Sequence, residues 1–185
     1  MVAAAGYEVS SVHLSAFIKM ARAMGVLERV LPTLSAGTRA VVERPSDARW
    51  YPAQVISELA EQVLAVAGGE VLEELNYRMT KESLGRLILP VLKVALAIAG
   101  NSPATIFSRL DDVLAVAMRG IRVEWTPQGP TAGTLRFVYP EAPPRSAESS
   151  WRGALRFGFE LTRADGRVVR STVEGGALVM ELAWV

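Results

Sequence analysis

The fold of this chain is decided by residues 120–139, which read GIRVEWTPQGPTAGTLRFVY. Apolar and polar side chains alternate along both halves of this stretch, with apolar residues at Ile121, Val123, Trp125, Leu135, Phe137 and Tyr139. Alternation with a period of two indicates β-strands that bury one face. The turn at 126–130 contains Pro and Gly and joins the two strands, so the sequence predicts a β-hairpin.

A helix and a second hairpin follow this stretch. Residues 148–163 place Trp151, Leu155 and Phe159 at helical spacing. Beyond Asp165-Gly166 the alternation resumes along residues 168–173 and 178–184, which Gly175-Gly176 joins as a turn. The C-terminal part is therefore predicted to have the order ββαββ.

The sequence before Gly120 has the helical period instead. Five helical segments are predicted, at about 11–31 with Val12, Phe17 and Met20 on its buried face, from Trp50-Tyr51-Pro52 to Val66, and at 71–80, 84–99 and 101–118. Residues 33–47 are predicted as a connection with one further helical turn. We expect an α+β fold in which the helical N-terminal half packs on an antiparallel sheet. Residues 1–10 would be an N-terminal tail and residues 11–185 a single domain.

The charge and hydropathy of the chain limit the classes of protein to which it can belong. Its 185 residues include 20 Lys plus Arg and 19 Asp plus Glu, for a formal net charge of +1. This balance excludes a disordered polyelectrolyte. Half of the residues are hydrophobic and the mean hydropathy is +0.24. We expect the surplus of apolar surface to be covered by a pocket or by a second subunit.

The longest apolar stretch is Leu87–Ala99, which Pro90 and Lys93 interrupt. It falls short of the roughly 20 apolar residues that a bilayer span needs, so we predict a buried core helix and no membrane span. The N-terminus has neither a basic segment nor an apolar signal-peptide region. The chain has no Cys and needs no oxidising compartment, which favours a cytoplasmic protein.

The inventory of reactive groups is small. There is no Cys, and His13 is the single histidine. No G-x-S-x-G nucleophile motif and no phosphate-binding glycine frame occur in the sequence. We therefore predict a protein that is not an enzyme and has no metal site, and a solvated or hydrogen-bonded role for His13. An enzyme that uses carboxylates and arginine is kept as a third alternative.

Residues 145–170 contain six Arg and three acidic residues, which is a local surplus of arginine. The surplus predicts an interaction patch for an acidic partner, formed by Arg152, Arg156, Arg163, Arg167 and Arg170. The alternative is a solvated face of the last helix and the second hairpin. Nucleic-acid binding is not predicted, because the overall charge is close to neutral.

Several short motifs carry a family resemblance. They are Leu27-Glu-Arg-Val-Leu31, Trp50-Tyr51-Pro52, Leu84-Gly85-Arg86, Ser102-Pro103, the segment 151–155 and Glu181-Leu-Ala-Trp184. Their order resembles a domain family of unknown function that is abundant in myxobacterial genomes. That family is similar in layout to the vinyl-reductase-like, haem–nitric-oxide-binding-associated and TRAPP-like ligand-binding superfamily. The resemblance implies helices on an antiparallel sheet, a dimer, and an apolar pocket for a small molecule or acyl chain.

Two departures from the superfamily bear on cofactors. Zinc-binding relatives use Cys ligands, and where relatives often have Cys near the last strand this chain has Gly176-Ala177-Leu178. None of the tyrosines, Tyr139 included, begins the Tyr-x-Ser-x-Arg signature of haem–nitric-oxide sensors. We therefore expect no cofactor. We do not expect haem on His13, because the sequence gives no further sign of the apolar pocket that a proximal ligand needs.

The predicted function is a non-enzymatic, dimeric module that senses a small molecule or regulates a partner through an apolar pocket. The aromatic residues expected to line that pocket are Trp50, Tyr51, Tyr77, Phe107 and Trp151. Ordinary core packing is the alternative role for each of them. A protein-interaction scaffold without a small ligand is the alternative function.

Overall fold

The computed structural model describes residues 7–45, 49–87 and 100–185. These residues form α-helices and antiparallel strands, which confirms the predicted α+β class. The helices are α1 (Ser11–Ala23), α2 (Leu27–Val30), α3 (Ala36–Glu43), α4 (Gln54–Ala67), α5 (Gly69–Leu87), α6 (Pro103–Phe107), α7 (Leu110–Leu114) and α8 (Ala147–Thr162), with a 3₁₀ turn at Leu31–Thr33. The strands are β1 (Glu8–Ser10), β2 (Trp50–Pro52), β3 (Met118–Arg119), β4 (Arg122–Pro127), β5 (Ala132–Val138), β6 (Gly166–Glu174) and β7 (Ala177–Trp184).

The described strands form two antiparallel sheets. The large sheet has the order β4-β5-β7-β6, and in it Phe137 lies between Val123 and Leu178 on the neighbouring strands. The small sheet has the order β2-β1-β3. Its central strand pairs Ser10 with Trp50 on one side, and Glu8 with Arg119 on the other. The small sheet therefore joins three segments that lie far apart in the sequence.

Both predicted hairpins and the helix between them are confirmed. β4 pairs with β5, and β6 pairs with β7 through a turn in which Gly175 and Gly176 have φ of 56° and 75°. Leu135 and Phe137 are fully buried, whereas the intervening Arg136 is half-buried. The alternation that predicted the strands thus reports which face of the sheet packs against α8.

The first predicted helix is interrupted in the structure. α1 ends at Ala23, because Gly25 adopts φ 68°, a left-handed conformation that ends a helix. Its buried face also differs from the prediction. His13 and Phe17 are buried, but Val12 is 54% exposed. The single helix predicted for residues 11–31 is therefore replaced by α1, α2 and the 3₁₀ turn.

We had predicted that Trp50-Tyr51-Pro52 opens a helix, but these residues form strand β2. A residue that precedes proline is restricted to extended conformations, and Tyr51 precedes Pro52. Tyr51 pairs with Val9 of β1, and α4 begins only at Gln54. The motif thus supplies an edge to the small sheet.

Three further helix boundaries differ from the predictions. The connection predicted for residues 33–47 contains α3, which Ser35 caps by accepting a hydrogen bond from the Thr38 amide at 3.3 Å. α5 covers Gly69–Leu87 as one helix. Residues 101–118 form two short helices and β3. The core helix predicted for 84–99 lies outside the described residues from position 88 onward.

Two hydrophobic clusters make up the core of the described structure. One is built from α1 to α5 and includes Phe17 and Leu59. The other lies between the large sheet, α6, α7 and α8, and includes Phe137 and Trp151. Tyr7 packs against both clusters. Among the helices the structure describes, none has the length and apolar character to cross a membrane.

Candidate functional site

An apolar cavity lies where α1, α5, α6, α7 and α8 meet, and we call it the inner cavity. It has about 80 Å³ of free space. Its described walls are His13, Asn76, Met79, Thr80, Ile106, Phe107, Leu110, Val113, Leu114, Ala117, Met118, Ser150, Trp151, Ala154, Leu155, Phe157, Gly158 and Leu161. None of these side chains is an acid, a lysine or an arginine, so the walls favour an apolar ligand.

His13 supplies the imidazole in this wall. It is the third residue of α1, and its backbone N–H donates to the side-chain oxygen of Ser10, the cap residue, at 3.3 Å. The side chain is only 7% exposed, and its Nδ1 has no hydrogen-bond partner among the described residues. Burial lowers the pKa of His13 to about 4. The imidazole is therefore neutral at neutral pH, and one buried nitrogen is left for a ligand.

The other polar groups of the inner cavity are less available. The side-chain amide of Asn76 donates to the Leu72 carbonyl at 2.9 Å, and it lies 3.4 Å from the hydroxyl of Ser150. Asn76 and Thr80 are both buried. The Asn76 amide thus satisfies its own helix first, whereas the buried Nδ1 of His13 has no described partner.

Aromatic side chains pack closely around one side of the inner cavity. Phe137 and Trp151 stack with their ring centroids 4.2 Å apart. The indole Nε1 of Trp151 donates to the hydroxyl oxygen of Tyr139 at 2.7 Å. Phe107 meets Phe159 edge to face with centroids 5.2 Å apart. These contacts pack the aromatic side chains of α6, α8 and the large sheet against one another.

A second cavity of about 370 Å³ opens beside the first, and we call it the mouth. It lies at the end of the small sheet, and its described walls are Ser10, Ser11, Val12, His13, Arg49, Trp50, Ala115, Val116, Ala117 and Arg119. The guanidinium carbon of Arg119 lies 3.8 Å from the centroid of the Trp50 ring. His13 and Ala117 line both cavities, so the mouth and the inner cavity are neighbours.

The structure separates the five predicted pocket aromatics. Phe107 and Trp151 both line the inner cavity, and Trp50 lines the mouth. Tyr51 is 5% exposed and packs in the helical cluster. Tyr77 lies under the guanidinium of Arg156 at 3.7 Å and donates from its hydroxyl to Glu160. A ligand-contacting role for each of the five stays a prediction.

The predicted arginine patch is partly engaged in contacts within the chain. Arg152 donates to Glu148 at 3.0 Å, and Arg156 donates to Glu74 at 2.7 Å. Arg170 lies 3.9 Å from Glu181. Arg163 ends α8 with φ 59°, and Arg167 lies on β6. Docking of an acidic partner on this patch stays a prediction.

Three site residues were missed from the sequence. His13 was expected to be solvated or satisfied, but it is buried with an unpartnered nitrogen. The signal that could have found it is its spacing of four residues from Phe17, which places both on one face of α1. Arg49 and Arg119 carried no such signal, because only the small sheet brings them together.

Comparisons with known proteins show which solved structures have a similar fold. The sequence matches no protein-family model and no curated protein. The fold resembles the Fe(II) unliganded H-NOX protein from K. algicida, with a TM-score of 0.70 at 11% identity over 95% of this chain and 96% of that one. It also resembles an oxygen-binding H-NOX domain related to soluble guanylate cyclases, with a TM-score of 0.58 at 13% identity over 92% of both chains.

A third similar structure comes from a study of haem distortion in the H-NOX family, with a TM-score of 0.60 at 12% identity over 95% of this chain and 93% of that one. The expected likeness in layout to haem–nitric-oxide-binding domains is confirmed. Our expectation of a chain without cofactor is contradicted, because the proteins that share its fold are described by Fe(II), oxygen and haem. Membership in the myxobacterial family stays a prediction. The fold of this chain is that of the H-NOX domains.

Proposed function

We propose that the chain is a non-catalytic sensor domain that binds a small molecule in the inner cavity. The observation that carries the proposal is the buried, neutral imidazole of His13, whose Nδ1 has no described partner and which borders an apolar cavity. A buried polar atom without a partner costs free energy, and a ligand that bonds to it recovers that cost. The absence of charged side chains from the described walls supports binding and argues against catalysis.

Haem is the first ligand to consider, because the donor chemistry fits it. Haem iron in proteins takes a neutral histidine nitrogen as an axial ligand inside an apolar pocket, and His13 with the surrounding aliphatic and aromatic walls offers that set. A bound haem would supply an iron centre for a small gaseous ligand. The structural likeness to H-NOX proteins supports the same ligand class.

This chain would hold such a ligand with residues other than the Tyr-x-Ser-x-Arg signature. The Tyr-x-Ser-x-Arg signature is absent, and Tyr139 accepts a hydrogen bond from Trp151 at 2.7 Å. The free space of about 80 Å³ is below the roughly 300 Å³ of ordinary ligand sites, so a large ligand requires a wall to move. The walls best suited to move are α6 and α7, which have five residues each. Their displacement would be the signal that the domain transmits.

The test is a titration of the purified chain with haem, followed by absorbance. Because His13 is the single histidine, His13→Ala removes every imidazole from the chain. We expect saturable binding to the wild-type chain, an affinity lowered about tenfold or more in His13→Ala, and recovery of the spectrum on addition of free imidazole. Equal binding and equal spectra for both proteins would overturn the assignment of His13.

A second arm uses dodecanol as an apolar probe without iron. Ala154→Leu fills part of the inner cavity, and Ala40→Leu, on an exposed position of α3, is its matched control. Weaker dodecanol binding in Ala154→Leu alone supports an apolar-ligand site. A wild-type chain that binds neither haem nor dodecanol contradicts the sensor proposal.

A protein-interaction scaffold is the second candidate function. Val169 and Val173 on the edge strand β6 are 49% and 64% exposed, and an exposed apolar edge favours association. We propose on this basis that the domain is a homodimer. Sedimentation velocity over a range of concentrations tests this, and Val173→Lys is expected to shift the equilibrium toward the monomer. A chain that sediments as a monomer throughout contradicts the dimer. A cytoplasmic location stays a prediction from the cysteine-free sequence.

A further inference from the structure

The mouth is assembled by the backbone of the small sheet. Ser10 pairs with Trp50 of β2, and its amide donates to the Ala117 carbonyl at 2.8 Å, immediately before β3. The amide of Ser11 donates to the Arg49 carbonyl at 3.0 Å. These two bonds hold Arg49 and the segment before Arg119 on either side of the start of α1.

The mouth offers hydrogen-bond donors and positive charge. Arg49 and Arg119 both line it and are exposed, and no acidic side chain lies among its described walls. Neither arginine forms an ion pair with a described residue. Trp50 adds a buried indole Nε1 without a described hydrogen-bond partner. Two arginines that line one space, with no acid among its described walls, favour an oxyanion.

Arg119 is held in place for this role. Its guanidinium lies over the Trp50 ring, and a stacked guanidinium loses less conformational freedom when it binds an anion. Ser10 and Ser11 add hydroxyl groups at the N-terminus of α1, where the helix dipole also favours negative charge. The first turn of α1 contains no acidic residue.

The mouth also has apolar walls. Val12 and Val116 line it and are 54% and 56% exposed, although both are large hydrophobic side chains. His13 is only 7% exposed. It lies between the mouth and the inner cavity and borders both. A positive mouth with apolar edges thus lies next to an apolar interior, with His13 between them.

We infer that the ligand of this domain is an amphiphile whose apolar body enters the inner cavity past His13 and whose oxyanionic head binds Arg49, Arg119 and the Trp50 indole in the mouth. The inference rests on the proposed function, because it names the chemical class that the same site accepts. It predicts that an anionic head group adds affinity which an uncharged head of the same length does not.

The test compares dodecanoate, dodecyl phosphate and dodecanol by calorimetric titration of the full chain. We expect the stronger of the two anions to bind at least about tenfold more tightly than dodecanol, with a preference that falls as salt is added. Which anion is stronger identifies the head group as carboxylate or phosphate. Haem and its dimethyl ester form a parallel pair that isolates the carboxylates of a macrocycle.

The variants are Arg49→Gln, Arg119→Gln and Trp50→Phe, and Arg22→Gln, at an exposed position of α1, is the matched control. Each of the three is expected to lower the affinity for the anions about threefold to tenfold and to leave the affinity for dodecanol unchanged. Arg119→Lys keeps the charge and is expected to recover part of the loss.

The inference is overturned if the anions and dodecanol bind equally well and the arginine variants change neither. In that outcome the cavity still binds an apolar ligand, and the proposed function stands. Binding of none of the probes overturns both. Ala154→Leu separates these cases, because filling the inner cavity weakens all three probes only when their chains enter it.

Discussion

Gly153 of α8 lies directly against the carbonyl oxygen of Glu73 on α5, so closely that a methyl group on Gly153 would overlap that oxygen and lie 2.8 Å from the Tyr77 backbone nitrogen. Both obstacles are backbone atoms, which cannot rotate away. α5 and α8 both contribute walls to the inner cavity, and their close approach requires a residue without a side chain at position 153.

We expect Gly153→Ala to destabilise the chain by at least about 2 kcal/mol, because the two helices must move apart to accommodate the methyl group. Urea unfolding followed by circular dichroism measures this loss. Gly37→Ala is the control, since Gly37 is in α3, is exposed and has nothing near its missing Cβ. Alanine at that position is expected to stabilise by up to about 1 kcal/mol. Equal effects at the two positions would contradict the close packing.

The hydrogen bond from Trp151 to Tyr139 makes a separate prediction. Burial raises the pKa of Tyr139, and its hydroxyl accepts the indole N–H at 2.7 Å. Tyr139→Phe leaves the buried indole N–H without this acceptor and is expected to cost about 1–3 kcal/mol. Trp151→Phe also loses the stack on Phe137.

A double-mutant cycle of Tyr139→Phe and Trp151→Phe isolates the bond itself. We expect a coupling free energy of about 1 kcal/mol, because either substitution alone removes the hydrogen bond and the double variant cannot lose it a second time. Additive losses would show that the two residues contribute to stability independently. Chemical denaturation of the four proteins measures the cycle.

The stability of the chain should depend on pH through His13. The pKa of His13 is about 4 in the folded chain, below its ordinary value of 6.5, because burial disfavours the charged imidazole. Between these two values the unfolded chain binds more protons than the folded one. Stability is therefore full above pH 6.5 and falls as the pH is lowered toward 4, by roughly 3 kcal/mol in total.

Urea unfolding at a series of pH values between 7.5 and 4, spanning the two pKa values, measures this loss. His13→Gln is the comparison, because its side chain does not titrate. The carboxylates contribute equally to both proteins, so the difference between the two profiles belongs to His13. His13→Leu provides a second comparison if the glutamine variant is too unstable. Parallel profiles would contradict a buried neutral imidazole.

Glu74 connects α5 to α8 at the surface. It accepts from Arg78 at 2.6 Å and from Arg156 at 2.7 Å, and the hydrogen bond from Arg78 is the largest cause that lowers the pKa of Glu74. These side chains are partly exposed. We expect Glu74→Gln to cost only about 0.5–1 kcal/mol, less in high salt, because water screens the pair.

The same thermal or urea unfolding measurement at low and high ionic strength tests this. Arg109, which immediately precedes α7, and Asp112 of α7 form a more exposed pair at 3.7 Å, and Asp112→Asn is the control. A larger loss for Glu74→Gln than for Gly153→Ala would mean that charge, and not close backbone packing, holds α5 to α8.

The C-terminal half could be predicted from its sequence because its signals are local. The alternation around Leu135 and Phe137 indicates the buried face of a strand without reference to any other element. The same holds for the apolar spacing of Trp151 and Leu155 on α8. The ββαββ order therefore followed from patterns within single elements.

The N-terminal half depended on contacts that no local pattern reports. Tyr51 is extended because it precedes proline, but its pairing with Val9 became visible only in the small sheet. Gly25 could serve in a helix or end it, and only the structure shows the positive φ of 68° with which it follows the end of α1. Both errors came from assigning helix to segments of mixed propensity.

The site was less predictable than the fold. Phe107 and Trp151 were predicted as pocket residues, and both line the inner cavity. His13 was not, because the availability of its nitrogen depends on the absence of a partner on α5 and α8. The convergence of Arg49 and Arg119 depends on strand pairing across distant segments.

The small sheet has a consequence for the order of folding. Residues near positions 10, 50 and 119 must meet before β2, β1 and β3 can pair, and each pairing closes a long loop of chain. The two hairpins of the large sheet need only their own neighbours. The mouth should therefore form last, after the helices and the large sheet, and a nascent or partly unfolded chain would have no competent binding site. Ligand occupancy would then mark molecules that have completed folding.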